Sequence, residues 1–407
     1  MLLHWLSFAC VTAVITASAI PARDPPTRVI HERAETCTPK AGGSASTDDV
    51  PALQSAITSC PSGTILIPAS TTYHVNSVFD VKGCSGCTIQ LEGTLQMASS
   101  TDTWNGQDAQ ILVDDITGLN IVSSSGSGVI DGNGQASWDR FAEDSSYDRP
   151  TMLYIAGSSS DVVVRNVKMT NAPNVFVSAT SGTSKIQLSS LALSAVSTSD
   201  NLPKNTDGFD ISGSYVTLDD ISIVNDDDCI AFKPGANYVT ATDITCTGGH
   251  GISVGSLGSK SGATDTVSNV YVDGVTMVDT TKAAGIKLYP GGTAHGTAVV
   301  RNVTFANFVV DGADYAFQVQ SCYNEDADYC AASPSTATLT DIVVSGFSGT
   351  TSDKYEPTVA NIDCPADGTC DITMSGMTVK APSGTGRYLC ANTPSNLGVT
   401  CTSGASG

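Results

Sequence analysis

Two neighbouring stretches of the chain, YVTLDDISIVNDDDCIAFKPG at residues 215–235 and YVTATDITCTGGHGISVGSLG at residues 238–258, share one pattern. Each contains an alternating strand, a polar junction, a second alternating strand, and a corner rich in Gly, Ser or Asn. Similar stretches begin at Asp161, Val267 and Val299. The offset from Tyr215 to Tyr238 is 23 residues, and a fixed period of this length is typical of solenoid proteins.

A single unit of this kind cannot bury its apolar face, so neighbouring units must stack into a continuous core. We therefore predict an all-β, single-domain, right-handed parallel β-helix (solenoid) from residue 37 to residue 407. Solenoids grow by adding units, so one domain can reach this length. The alternative of two β-sandwiches predicts turn signals without equivalent strands in register, and the repeats argue against it.

One segment has a sustained helical period, DVPALQSAITSC from Asp49 to Cys60. Asp48 or Asp49 can cap its N-terminus, because a carboxylate there accepts hydrogen bonds from free backbone N–H groups. Terminal units of a solenoid need a cover over their open end. The segment is therefore predicted to be a short N-terminal capping helix.

The first 19 residues form an apolar run that ends in a small-x-small sequence, Ala17-Ser18-Ala19. This pattern is typical of a secretory signal peptide, and the run is shorter than a membrane-spanning helix requires. The Pro-rich segment 20–33 ends at Arg33 and is a possible propeptide. The sequence thus predicts a secreted, extracellular protein with no membrane association.

The chain has 13 cysteines, and removal of the signal peptide would take Cys10 and leave an even number. In an oxidising compartment six disulfides are the default, although sequence alone does not fix their connectivity. The Cys84-x-x-Cys87 motif could also be a redox pair, which is less common outside the cell. Close spacing suggests the pairs Cys84–Cys87, Cys229–Cys246, Cys322–Cys330, Cys364–Cys370 and Cys390–Cys401, which leaves Cys37–Cys60.

The chain has 40 acidic and 19 basic residues, for a net charge of -21. This charge argues against nucleic acid as a partner. If the substrate is itself a polyanion, the overall charge repels it, and local Lys or Arg side chains must bind it.

Four polar segments begin the second strand of successive units: NTDGFD (205–210), NDDDC (225–229), GGHGISVGS (248–256) and GIKLYPG (285–291). Stacked units are about 4.8 Å apart, so equivalent positions gather into one patch. Carboxylates, an imidazole and an ammonium group are therefore expected to line one cleft. Adjacent strand residues face opposite sides, so Asp227 and Asp228 can both reach it only if the backbone bends, and we predict a kink or bulge there.

Each of these segments has another interpretation. Asp207 and Asp210 could form Asx turns, and the acidic run could be a solvated corner or a calcium site, although it lacks the EF-hand spacing. His250 could be a surface histidine, but its small flanking residues favour a functional role because they let a bulky substrate approach the ring. Lys287 could simply reach solvent. The four segments in register favour a functional cleft.

In order and spacing, NTDGFD, DDC, GGHGISVGS and IK resemble the motifs of glycoside hydrolase family 28, the polygalacturonase family. GVIDGNGQASW (128–138) and RPTMLYI (149–155) also match its upstream pattern. The resemblance covers most of the chain. It implies inverting hydrolysis of α-1,4-linked galacturonic acid chains in pectin by an enzyme without cofactor or metal, and a monomer is expected.

The resemblance assigns catalytic roles by motif. Asp227 would be the general acid, and Asp207 and Asp228 would position and deprotonate water, as inverting cleavage requires two carboxyl groups with water between them. Mutual repulsion among the acids would keep one of them protonated. His250 would tune the proton of the acid or hold the substrate, and Asp226 would be dispensable.

The resemblance also assigns substrate contacts. Asn205 and Lys287 would bind sugar, with Lys287 meeting a galacturonate carboxylate. Tyr323, in QSCYNED, stands where the family has an aromatic residue in the cleft.

One departure from the family pattern concerns specificity. Gly285-Ile286-Lys287 stands where the family usually has Arg-Ile-Lys, and loss of the arginine should weaken binding of bare galacturonate and open space for a branch. Together with FKPG at 232–235, this resembles the family members that act on xylose-substituted galacturonan (xylogalacturonan). Endo- or exo-polygalacturonase action on unsubstituted chains, a pectate lyase and a non-catalytic wall-binding β-helix are the alternatives.

Overall fold

The computed structural model describes residues 35–407, which are built mostly from short strands. The helices are α1 (Val50–Ser59), α2 (Thr101–Trp104), α3 (Gln135–Glu143) and α4 (Ala327–Ala332). The strands are β1 (Thr36–Cys37), β2 (Thr64–Ile67), β3 (Thr72–Val75), β4 (Phe79–Asp80), β5 (Thr88–Leu91), β6 (Thr94–Met97), β7 (Ala109–Asp114), β8 (Asn120–Val122), β9 (Val129–Asp131), β10 (Thr151–Ala156), β11 (Ser160–Arg165), β12 (Lys168–Thr170), β13 (Val177–Ala179), β14 (Ser184–Ser194), β15 (Phe209–Ile211), β16 (Ser214–Asn225), β17 (Asp228–Phe232), β18 (Asn237–Gly248), β19 (Gly251–Leu257), β20 (Thr264–Val278), β21 (Ala284–Leu288), β22 (Thr297–Asp311), β23 (Phe317–Gln320), β24 (Thr338–Ser345), β25 (Ser348–Thr350), β26 (Thr358–Asp363), β27 (Thr369–Ser375), β28 (Arg387–Ala391) and β29 (Cys401–Ser403).

Every strand pairs in parallel with the equivalent strand of the next unit. β16 pairs with β14 on one side and β18 on the other, and Val216 lies opposite Val239, which is the 23-residue offset read from the sequence. A second sheet of 12 short strands contains β13, β15, β17, β19, β21 and β23 in chain order. Because crossovers between parallel strands of one sheet are right-handed, the chain forms the predicted right-handed parallel β-helix.

The polar junctions within the units are corners of the β-helix. The long strands β14, β16 and β18 each bend in the middle at a residue with positive φ, namely Ser190, Asp220 and Asp243, with φ of 50° to 54°. Asp and Asn enter this left-handed region more readily than most residues because their short side chains bond locally. Each bend turns the chain onto the next face of the solenoid.

The core is a stack of equivalent apolar side chains. In β22, alternation buries Phe308 and Val310 and leaves Val309 47% exposed. Phe308 stacks on Phe347 of a neighbouring unit, with ring centroids 4.4 Å apart. Packing of like residues between units thus fixes the register of the whole solenoid.

Helix α1 covers the N-terminal end of the core, as predicted, and begins at Val50 rather than Asp49. Asp49 stands at the N-cap position, but its carboxylate accepts hydrogen bonds from the backbone N–H groups of Gly42 and His74 instead. Asp48 accepts from the N–H of Val50 at 3.2 Å. The cap is therefore supplied by Asp48, while Asp49 links the helix to the first units of the solenoid. We call one such unit, a single turn of the β-helix, a rung.

All six predicted disulfides are confirmed. They clip local loops and adjacent rungs rather than distant parts of the chain.

The predicted signal peptide (1–19) and propeptide (20–33) lie outside the described residues. Among residues 35–407, none of the helices has the length and apolar character that crossing a membrane requires.

The aromatic stack in the core gives a test of the register. Phe308→Ala should lower the free energy of unfolding by about 3–5 kcal/mol, because it removes a buried ring and leaves a cavity. Val309→Ala, one residue away on the exposed face, should change it by less than about 0.5 kcal/mol. Urea unfolding measures both, and equal losses would contradict the assigned faces.

Candidate active site

A cleft runs across strands β15, β17, β19 and β21, which are successive neighbours in the 12-stranded sheet. It encloses a cavity of about 640 Å³. Six of the seven site residues expected from the sequence line it: Asn205, Asp207, Asp227, Asp228, Lys287 and Tyr323. The seventh, His250, contacts one of these acids directly.

The backbone bends at the acidic run, as predicted. Asp228 pairs with Gly251 while Ile230 pairs with Ile252, so Cys229 is the extra residue of a bulge. The disulfide to Cys246 holds this residue in the core. The bulge lets Asp227 and Asp228 both face the cleft.

The buried side chain of Asn225 stabilises the bulge by hydrogen bonds to the backbone. Its Nδ2 donates to the carbonyl oxygens of Thr206, Asp227 and Asp228 at 2.8 to 3.1 Å. The asparagine is 6% exposed, so these bonds are sheltered from water. It is a structural residue of the site that motif reading did not single out.

The glycines beside His250 have a different purpose from the one expected. A Cβ at Gly249 would lie 2.2 Å from the carbonyl oxygen of Asp227, and one at Gly251 would lie 1.9 Å from that of Lys282. Both glycines have positive φ, of 65° and 75°. They are needed for close backbone packing between rungs, and not for access of a substrate to the ring.

The carboxyl group of Asp227 accepts two hydrogen bonds and shares a third with His250. The donors are the backbone N–H of Asp228 at 2.8 Å and Asn205 Nδ2 at 3.1 Å, and His250 Nδ1 lies 2.9 Å from its Oδ1. Burial raises the pKa of this carboxyl, but the hydrogen bond and charge of His250 outweigh burial and lower the pKa to about 2. Asp227 is therefore ionised when the cleft is empty and the imidazole is charged.

Asp228 is buried and faces two ammonium groups. Lys287 Nζ lies 2.8 Å from its Oδ2, Lys282 Nζ lies 3.6 Å from its Oδ1, and Ser253 Oγ donates at 2.7 Å. Burial raises the pKa of Asp228, and the two lysine charges together lower it below its ordinary value. Burial lowers the pKa of Lys282 to about 8.

Asp207 has a raised proton affinity. Burial and the neighbouring carboxylates of Asp210 and Asp227 raise the pKa of Asp207 well above its ordinary value. Lys233 opposes this only partly, since its Nζ is 3.8 Å from Asp207 and 3.4 Å from Asp210. Burial raises the pKa of Asp210 as well.

The acid with the raised pKa is not the one expected from the sequence, which assigns the general acid to Asp227. In the empty cleft the raised pKa belongs to Asp207, while that of Asp227 is lowered. The reason is that Asp227 has close hydrogen-bond donors and Asp207 has mainly buried carboxylates around it. Burial, together with repulsion from Asp210 and Asp227, thus favours a proton on Asp207, one rung away from the expected acid.

Asp226, which the sequence marks as dispensable, does not line the cavity. It is half-buried, its backbone forms an isolated parallel β-bridge with that of Lys204, and burial raises its pKa.

Lys282 fills the space beside Gly285. A Cβ at Gly285 would lie 2.9 and 3.0 Å from Cδ and Cε of Lys282, and 2.5 Å from the carbonyl oxygen of Gln318. The expectation that this glycine leaves open space is therefore wrong. The buried lysine occupies that volume and supplies a cation to Asp228 in addition to Lys287.

Arg149 supports the site from the N-terminal side. It is 7% exposed, donates from Nη2 to Asn205 Oδ1 at 2.8 Å, and binds the carbonyl oxygen of Lys204 at 2.6 Å. Its guanidinium lies over the ring of Phe141 at 3.6 Å. Arg149 thereby orients Asn205 toward Asp227, a role that its place in the upstream motif did not reveal.

Lys287 and Tyr323 meet at the C-terminal side of the cleft. The ammonium group lies 5.5 Å from the centre of the tyrosine ring. Lys287 therefore contacts an acid, an aromatic ring and the cavity at once.

Asp227, Asp228 and His250 each offer one potential metal-ligand atom, and these atoms lie within 4.8 Å of one another. By distance alone the set could bind a divalent cation. Two ammonium groups within 3.6 Å of Asp228 would repel such an ion. The positive charge beside Asp228 is therefore supplied by Lys282 and Lys287.

Comparison with known proteins agrees with this geometry. The family model described as glycosyl hydrolases family 28 matches residues 58–402. A probable endo-xylogalacturonan hydrolase A of Aspergillus flavus is 60% identical over 405 residues, covering 98% of this chain and 99% of its own length. The endo-xylogalacturonan hydrolase A of Aspergillus tubingensis is 59% identical over 395 residues, covering 96% of both.

Solved structures agree as well. The crystal structure of the endo-xylogalacturonan hydrolase from Aspergillus tubingensis superimposes with a TM-score of 0.90 at 60% identity, over 92% of this chain and all of that one. A polygalacturonase from Erwinia carotovora shares the fold at 19% identity, with a TM-score of 0.67 over 89% of this chain and 97% of its own. The chain belongs to glycosyl hydrolase family 28.

Proposed function

We propose that this chain hydrolyses the α-1,4-linked galacturonic acid backbone of pectin with inversion, and that it acts on xylose-substituted chains. The observation that carries the proposal is the cleft in which Asp207, Asp227 and Asp228, from adjacent rungs, differ in protonation. Inverting hydrolysis requires one carboxyl that gives a proton and one that takes a proton from water.

Asp227 is the proposed general acid, acting together with His250. A protonated Asp227 can donate to Nδ1 of a neutral imidazole, and an ionised Asp227 accepts from the charged form. A galacturonate carboxylate bound nearby raises the pKa of Asp227, because like charges disfavour ionisation. Substrate binding thus favours the proton on Asp227, from which it passes to the leaving glycosidic oxygen.

Asp228 and Asp207 are the proposed water-activating pair. Asp228 stays ionised between two lysines and accepts the proton of water, while Asp207 orients the water molecule by hydrogen bonding. Protonated Asp207 also limits the negative charge that an anionic substrate meets in the cleft.

The proposed substrate contacts are Asn205, Lys287 and Tyr323. Two of the three N–H donors of Lys287 bind Asp228, and the third can meet a galacturonate carboxylate. Tyr323 offers a ring for a sugar face. Three cations, Arg149, Lys233 and Lys287, line the cleft of a protein with net charge -21, which supports local recruitment of a polyanion.

Two observations support xylose-substituted galacturonan as the proposed substrate. The relatives with the printed name endo-xylogalacturonan hydrolase are 59 to 60% identical over nearly the whole chain. Gly285 stands where the family usually has an arginine. The chain therefore lacks a side chain that could form two parallel hydrogen bonds to the carboxylate of an unsubstituted galacturonate.

We further propose that the protein is secreted as a monomer after loss of the signal peptide (1–19) and of the propeptide (20–33), with residues 37–407 as the catalytic domain. The apolar leader and six disulfides support this route.

Asp227→Asn should lower kcat about 10²- to 10⁴-fold, since it removes the proposed proton donor. Asp226→Asn, one residue away and outside the cleft, is the matched control and should stay within about twofold. Reducing-end assays on xylogalacturonan measure both variants, and equal losses would contradict the assignment.

The products test the reaction class. Proton NMR of the first products should show the β-anomer, since the bond cleaved is α and the configuration inverts. Ultraviolet-absorbing unsaturated ends without new saturated reducing ends would instead indicate a lyase, and binding without cleavage would indicate a wall-binding protein.

Asp207→Asn and Asp228→Asn should change stability in opposite directions. A carboxyl whose pKa is raised by folding binds more protons in the folded state, so its contribution to unfolding free energy falls as pH rises above about 4. At pH 7 Asp207→Asn should therefore raise Tm by about 1–3 °C, and the gain should vanish toward pH 3–4.

Asp228→Asn is the matched control, because its lowered pKa makes the ionised form stabilising above about pH 4. Its removal leaves two buried ammonium groups unpaired and should cost about 3–5 kcal/mol at pH 7. Differential scanning calorimetry measures both variants, and a Tm change of the same sign would contradict the proton assignment.

Turnover on xylogalacturonan should exceed turnover on unsubstituted polygalacturonate.

Gly285→Arg alone should lower Tm, since the new side chain collides with Lys282 and Gln318. Adding Lys282→Ala removes part of the collision, and the double variant should gain roughly 10-fold in relative kcat/KM for the bare polymer over Lys282→Ala alone. An unchanged ratio would refute the role of position 285.

A further inference from the structure

A second concavity lies on the outer face of the large sheet. We call it the tyrosine groove, and it is formed mainly by Tyr215, Tyr238, Tyr271, Asn269, Asn302 and Thr304. Its volume is about 510 Å³, and none of its lining residues lines the catalytic cleft. The proposed hydrolysis makes no use of it.

Four of these residues form one ladder. Tyr215, Tyr238, Asn269 and Asn302 occupy equivalent positions in successive rungs, as the flanking pairs in register show. All four have φ between 53° and 56°, a left-handed conformation that is uncommon for tyrosine. The shared conformation arranges the four side chains as one row along the solenoid.

The tyrosines present uncovered aromatic faces. Tyr215 and Tyr238 stack with centroids 5.0 Å apart and an interplanar angle of 7°, yet they are 57% and 50% exposed. Tyr271 is 43% exposed and donates from its hydroxyl to Asp273 at 2.9 Å. A contiguous exposed patch of this kind marks a binding surface, and rings with polar rims suit a ligand that has apolar faces and hydroxyl edges.

The same groove contains a glycosylation sequon. Asn302-Val303-Thr304 has the N-x-[ST] pattern, and the side chains of Asn302 and Thr304 both line the groove. Asn302 is exposed, and its Nδ2 donates to Asn269 Oδ1 at 2.7 Å. The nitrogen that would carry a sugar therefore points along the ladder toward Tyr238, two rungs or about 10 Å away.

Charge selects the type of saccharide. The residues that line the groove include no Lys, Arg, Asp or Glu, and the protein as a whole carries -21. A polyanionic galacturonan finds no cation there and is repelled at long range. A neutral saccharide meets neither obstacle, and one tethered at Asn302 has a high effective concentration at the tyrosines.

We propose that Asn302 carries a neutral N-linked glycan whose inner sugars lie in the tyrosine groove, over Asn269 and against Tyr238, Tyr215 and Tyr271. The attachment uses a lipid-diphosphate-linked oligosaccharide as donor. The amide nitrogen of Asn302 bonds to the anomeric carbon, the bond from that carbon to the diphosphate breaks, and the lipid diphosphate leaves with the electron pair while the amide loses a proton. The glycan covers the exposed aromatic patch.

The chain offers an internal control. Tyr315 and Tyr355 also stack, with centroids 4.6 Å apart and an interplanar angle of 4°, and Tyr355 is 42% exposed. Residues 350–360 contain no sequon, so this second stack has no tethered sugar of its own.

Nitration of tyrosines by tetranitromethane tests the proposal on full-length protein from a glycosylating host. Mass spectrometry should find a glycan on Asn302, and Tyr215 and Tyr238 should react roughly fivefold more slowly than after enzymatic removal of the glycan. Tyr355 should react at the same rate before and after removal. Thr304→Ala, which leaves Asn302 in place but destroys the sequon, should reproduce the faster nitration.

Three results would overturn the proposal: an unoccupied Asn302, nitration rates of Tyr215 and Tyr238 that do not change when the glycan is removed, or equal protection of the deglycosylated protein by added xylogalacturonan. The last result would make the groove a polysaccharide-binding surface. Cleavage of xylogalacturonan, measured in parallel, should be unchanged by deglycosylation, so the outcome is independent of the proposed function.

Discussion

The structure depends on one constraint, the in-register stacking of parallel rungs. Each rung repeats the same apolar positions, so the core fixes where every polar residue of a rung must stand. Across β15, β17, β19 and β21 this places side chains that are far apart in sequence beside one another. The bulge at Cys229 is a local departure from this register at the acidic run, where Asp227 and Asp228 of the same rung both line the cleft.

The stacking also explains why similar acids behave differently. Asp228 is buried beside two lysines of the β21 rung, two rungs after its own, so its charge is stabilised. Asp207 is also buried, but carboxylates are its main neighbours, so its neutral form is favoured. The same residue type in the same cleft therefore has opposite proton affinity, and the difference lies in the charged side chains that lie beside each acid.

Much of this could be predicted from the sequence. The repeat predicts the fold, because alternation and corner residues are local properties, and the order of the polar segments predicts the cleft. The bulge follows from two adjacent acids that must face one side. Lys282, Asn225 and Arg149 could not be found this way, because they act from loops or from beneath the strands, where side-chain direction does not follow the period. The filling of the space beside Gly285 is likewise a property of packing.

The central claim is that neighbouring rungs give Asp207 and Asp228 opposite proton affinities within one cleft. The most direct test is a pH titration of ¹³C-carboxyl-labelled aspartate by NMR, with Asp207→Asn and Asp228→Asn used to assign the two signals. The account predicts that the Asp207 signal titrates well above the ordinary range of an aspartate and the Asp228 signal below it. Titration of both in the ordinary range, or in the reverse order, would contradict it.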